Sequence, residues 1–162
     1  MDDFIEFYVG NKHKYGVGDN FIILEFTESF AMEDFDELSK LVTKLHENGI
    51  LCSLDDFGSG YSSFNILKTI QFDELKLDRF FISEGYNKEH DEKLFKTVVD
   101  LGKSFGMRVI QEGVETKEML EKVIEYGCDG VQGFYYAKPI SMEEYKIFLN
   151  SNTSIRYKSK VK

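Results

Sequence analysis

The feature that most constrains this chain is a regular alternation of short apolar runs with helical patterns. The runs are FIILEF (21–26), ILCSL (50–54), DELKLD (73–78), RVIQ (108–111) and GVQGFYY (130–136). Runs of this length between polar turns read as buried strands. Between the first two, EDFDELSKLVTKLHEN (33–48) sets Phe35, Leu38, Val42 and Leu45 on one helical face, and Gly49 is a fitting stop. SSFNILKTI (62–70) reads as a short helix. DEKLFKTVVDLGKSF (91–105) is amphipathic through Leu94, Phe95, Val98, Leu101 and Phe105, with Gly106 after it. TKEMLEKVIEY (116–126) opens on Thr116 as N-cap and stops at Gly127. SMEEYKIFL (141–149) follows Pro139 and opens with a Ser141–Glu144 capping box. A strand–helix pair repeated five times implies an α/β fold: one parallel sheet with helices packed outside it.

The chain has 162 residues, enough for one domain with a real core, and 42% of them are apolar. No run of apolar residues reaches the length of a membrane span, and the acidic N-terminus lacks a signal pattern, so the expected location is the cytoplasm. Cys52 and Cys128 are far apart and read as buried free thiols. His13, His46 and His90 show no zinc-site spacing. Net charge is −9, and the basic tail 151–162 holds Arg156, Lys158, Lys160 and Lys162 without an acid, leaving −13 on residues 1–150. That body would repel nucleic acid in bulk, but could take a phosphate compound with divalent cations between the charges. The expected organisation is a domain over 1–150 and a flexible extension over 151–162.

The polar residues gather at one end of the strands. The first run ends at Glu25, followed by Glu28; the second ends at Asp55 and Asp56. The third carries Lys76 and Asp78, the fourth ends at Glu112 followed by Glu115, and the fifth at Gln132. In α/β barrels and open α/β sheets this C-terminal end carries the active site. A single acid there is weak evidence, because helix N-termini also favour acids; the repetition over all five runs is stronger.

Alternation in ELKLD places Lys76 and Asp78 on one face and Leu75 and Leu77 on the other. In a barrel the leucines would meet the outer helices and Lys76 would point inward, where an unpaired charge is costly. Carboxylates at the mouth would be its partners. The alternative is a solvent-facing strand with a polar side. Carboxylates with one lysine suit a hard divalent cation, Mg²⁺ or Mn²⁺, which binds phosphate oxygens and lowers the pKa of water. Gly58 and Gly60 would let the following loop bend close to that site, or form an ordinary turn.

LEFTES, LDDFGSGYSS, LKLD, QEGVET and GVQGFYYAKP occur in the order and at about the spacing of the EAL domain, which the chain resembles over about residues 4–149. The resemblance implies a TIM-like barrel that hydrolyses cyclic di-GMP to a linear dinucleotide with Mg²⁺ or Mn²⁺. Carried over by motif, Glu25 and Asp55 look like metal ligands and Asp56 like a ligand of a second metal. Lys76 resembles the lysine that positions the attacking water, and Glu112 the carboxylate that acts as base or contacts that water. Gln132 looks like a support for the site, and Glu28 resembles the anchor of the DFGSGYSS loop, a region tied to dimerisation in the family. Asp78 and Glu115 match motif acids of less certain role.

The Glu-Ala-Leu motif that names the family, its nearby arginine and an asparagine ligand have no counterpart here, so the match is to the C-terminal two-thirds of such a domain. A complete barrel takes roughly 250 residues. The expected fold is an incomplete barrel of about five parallel strands, with open edges that invite homo-oligomerisation. The expected activity is cyclic di-GMP hydrolysis, weak or absent in this span alone; the alternative is a non-catalytic binding or oligomerisation module.

Overall fold

In a computed structural model, the structure describes residues 2–58, 64–82 and 88–150. The basic tail and most of the GSGYSS loop lie outside the described residues. Five strands form one sheet in sequence order: β1 (Ile23–Thr27), β2 (Leu51–Phe57), β3 (Glu74–Leu77), β4 (Arg108–Gln111) and β5 (Gly130–Val131). Every neighbouring pair is parallel. The helices are α1 (Asp2–Lys14), α2 (Glu28–Glu33), α3 (Phe35–Glu47), α4 (Phe64–Thr69), α5 (Lys88–Ser104), α6 (Lys117–Glu125) and α7 (Met142–Asn150), with a 3-10 turn over Arg79–Ile82. Sequential parallel strands joined through helices are the repeating unit of a TIM-like barrel, present here as an incomplete one.

The local signals act as expected. The Thr116 hydroxyl accepts from the Met119 N–H at 3.2 Å, and Ser141 and Glu144 make the reciprocal capping box at 2.8 and 3.3 Å. The strand boundaries differ from the sequence pattern. β2 runs three residues past the apolar run, because Asp55–Phe57 continue its pairing with β1 and β3. β5 is only two residues long, since the Gln132 carbonyl already accepts from the Val114 N–H in the next loop. α2 and the 3-10 turn were not evident from periodicity; they span only six and four residues.

Alternation along the strands builds the core on one side. Leu54, Leu75, Leu77 and Val109 are fully buried toward the helices, and a Cβ on Gly102 of α5 would meet Val109 at 2.7 Å and Leu75 at 3.1 Å. Helix α5 therefore lies directly on β3 and β4. Cys52 is buried and Cys128 half-buried; burial pushes both thiols up to about 12, so they are inert packing groups.

The N-terminal ends of the strands also carry acids, but these serve the backbone. Asp73 accepts from the Cys52 N–H and hydrogen-bonds His46, both at 2.8 Å, and Asp129 accepts from the Val109 N–H at 2.9 Å. Among the described residues no helix is long and apolar enough to cross a membrane. Replacing Leu75 with Ala is expected to lower stability by about 2–5 kcal/mol in urea unfolding. A loss below about 1 kcal/mol would contradict this packing of α5 on the sheet.

Candidate metal centre at the strand C-termini

Lys76 stands where alternation put it, on the face opposite Leu75 and Leu77, with its side chain 5% exposed. Its ammonium meets three carboxylates: Glu25 of β1 at 3.0 Å, Asp55 of β2 at 3.0 Å and Glu112 after β4 at 2.7 Å. Burial works against the lysine's charge, yet hydrogen bonds to Glu112, Asp55 and Glu25 outweigh it and hold the ammonium above the usual lysine range. The inward-facing reading is the one the structure bears out, and the solvent-facing strand is excluded.

Two consecutive residues of a regular strand point to opposite faces. Asp55 and Asp56 escape that rule through a bulge. Leu54 pairs with Leu75 and Phe57 with Leu77, so two residues of β2 stand against the single Lys76. Asp56 takes a left-handed backbone, φ +57°, and its N–H donates to Asp55 Oδ1 at 3.0 Å. The bulge brings carboxylate oxygens of Asp55, Asp56 and Glu112 within 4.8 Å of one another. Burial raises the Asp56 carboxyl above its ordinary range, and Asp55 and Asp78 add to the effect. Burial likewise raises Glu112, against the opposing pull of Lys76.

This donor set fits a hard divalent cation. Three carboxylates converge without histidine or thiol, and the lysine ammonium already occupies a cation's place beside two of them. Glu25 reaches the group through Lys76 and is not itself within the three-carboxylate cluster.

The remaining residues surround this centre. Glu28, almost fully buried, accepts from the Gly58 N–H at 3.2 Å, directly after the bulge. Asp78 caps the 3-10 turn by accepting from the Phe80 N–H at 2.8 Å. Gln132 and Glu115 line a cavity of about 470 Å³ with Glu112, Arg79, Phe134 and Lys138. The sequence reading missed Gln111, which is fully buried and donates from Nε2 to the carbonyls of Leu77, Asp78 and Glu112 at 3.1, 3.1 and 2.8 Å. It ties the end of β3 to the end of β4, next to Lys76 and Glu112 in the chain. An amide ending an apolar run was the only signal for it.

A carboxylate cluster around a buried lysine at the C-terminal ends of parallel strands defines a candidate cation centre. The chain belongs to the EAL domain family, whose profile matches residues 3–139. It is 39% identical over 123 residues to the bifunctional diguanylate cyclase/cyclic di-GMP phosphodiesterase MucR of Pseudomonas aeruginosa, covering 76% of this chain and 18% of that protein. The EAL domain of Mycobacterium smegmatis DcpA superposes with a TM-score of 0.84 at 35% identity, over 93% of this chain and 68% of that domain. Klebsiella pneumoniae BlrP1, solved as a manganese/cyclic di-GMP complex, gives 0.79 at 27% identity over 86% of this chain and 36% of its own. The chain thus spans about a fifth of the length of the curated relatives it matches.

The ionised form of Asp56 is less favoured in the folded chain than in the unfolded one. Its destabilising effect is absent at low pH, grows from the ordinary carboxylate range upward, and is complete above the raised value. Without added metal, Asp56→Asn is therefore expected to raise the melting temperature at pH 7 more than at pH 4. An equal or opposite change at the two values would contradict it.

Proposed function

We propose that the chain carries the metal-holding and proton-handling part of a site for hydrolysis of cyclic di-GMP to linear pGpG. The observation that carries this reading is Lys76, buried among Glu25, Asp55 and Glu112 at three strand ends. Asp55, Asp56 and Glu112 would hold Mg²⁺ or Mn²⁺, with Glu25 as a further ligand on the β1 side and Asp56 serving a second ion. A divalent cation there supplies Lewis acidity toward a phosphate oxygen and lowers the pKa of water.

The chain's own groups do the rest. Lys76 keeps its proton, offsets phosphate charge and orients the attacking water by donating to its oxygen. Glu112, 2.7 Å from the Lys76 ammonium, would accept the proton of that water. Glu28 anchors the glycine loop, Asp78 holds the turn after β3, and Gln132 and Glu115 support the wall beside Glu112. A nucleotide substrate and Mg²⁺ would place this activity in the cytoplasm.

A second reading is a non-catalytic module that associates with copies of itself. What favours it is the open edge of β1, beside a groove of about 920 Å³ lined by Phe4, Tyr8, Ile23 and Phe30, together with α7, no residue of which is buried. The two readings separate in one assay: chromatography of cyclic di-GMP after incubation with the chain and Mn²⁺, with Glu25→Ala as control. The expected result is slow, Mn²⁺-dependent release of pGpG that the control abolishes. A folded, stably oligomeric chain that releases none favours the second reading.

A further inference from the structure

The bulge that turns Asp56 toward the metal centre gives it a left-handed backbone, which aspartate tolerates and which tertiary contacts can hold in place. The structure supplies such contacts on each side of Gly58, two residues on. Gly58 itself has φ +91°, and its N–H donates to Glu28. On the other side lies the ring of Phe81: a Cβ on Gly58 would overlap Cε2 and Cζ of that ring.

Phe81 in turn has little room to retreat. Its N–H donates to the Asp78 carbonyl at 3.1 Å, and the Asp78 N–H donates to the Phe57 carbonyl at 3.2 Å, so the 3-10 turn is bonded to the bulged strand. Behind the ring, Phe95 of α5 stacks on it at 6.5 Å and 27°, and Tyr126 meets Phe95 edge-on at 5.3 Å. The neighbouring Phe80 is 60% exposed, so of the two adjacent phenylalanines it is Phe81 that reaches the bulge.

We propose that Phe81 is a positioning residue for the candidate metal centre: its ring pins Gly58 and so holds the Asp56 bulge in the form that brings Asp55, Asp56 and Glu112 together. This rests on the metal reading of that cluster. It assigns to an apolar side chain, outside every acidic motif, control over the affinity for the cation.

The test is Mn²⁺ affinity of the full chain, read from the electron paramagnetic resonance signal of the free ion, with circular dichroism to verify folding. Phe81→Leu is expected to weaken binding at least about tenfold, as for other residues that orient a metal ligand without touching the metal. Phe72→Leu, elsewhere in the core, is expected to leave the affinity within about twofold at a similar loss of thermal stability. Gly58→Ala is expected to weaken binding too, and the double variant to bind no worse than Gly58→Ala alone, because both changes act on one contact.

Wild-type affinity in folded Phe81→Leu overturns the proposal, as do additive effects or an equal loss in Phe72→Leu. Phe81→Met, which keeps the volume, replaces Phe81→Leu if that variant fails to fold, with the same expectation. If the wild-type chain takes up no Mn²⁺, the metal reading itself falls and this inference with it; Mn²⁺ binding by the wild type with no effect at Phe81 overturns this inference alone.

Discussion

The site depends on one buried ammonium. Lys76 lies deep at the strand ends, and a charge in that position is tolerable only because three carboxylates from three different elements converge on it. Those carboxylates would repel one another without it. The lysine and the acids are therefore each the condition for the other, and the strands that deliver them must sit side by side in the right register. Glu25, Asp55, Lys76 and Glu112 come from β1, β2, β3 and the exit of β4, so the pairing of all four strands is written into one cluster.

The two ends of the sheet use similar residues for different purposes. At the N-terminal ends, Asp73 and Asp129 accept from backbone N–H groups and close turns. At the C-terminal ends the acids face a side-chain cation and one another. The difference lies in partners and not in composition. It is consistent with the general division of barrels into a stabilising end and a chemical end.

Much of this was legible in the sequence. The alternation in ELKLD gave the direction of Lys76, and the repeated acids after apolar runs pointed to the end where the carboxylates gather. The parallel sheet followed from the strand–helix order. What the pattern could not reveal was how Asp55 and Asp56 act together. Strict alternation sends them to opposite faces, and only the bulge, set by pairing with β3 and a left-handed Asp56, returns both to one side. Gln111 and Phe81 were hidden for a related reason. Each acts through backbone it touches in space, at the ends of β3 and β4 or at Gly58, and neither contact has a period or motif. The limits of β2 and β5 were likewise set by neighbouring strands and loops, not by their own residues.

The measurement that most directly tests the central claim is a crystal structure of the chain grown with Mn²⁺, with anomalous scattering used to locate the ion. The account predicts an anomalous peak between the carboxylates of Asp55, Asp56 and Glu112, with Lys76 still beside them. A folded chain with no peak there, or with manganese only at acids elsewhere on the surface, would contradict it.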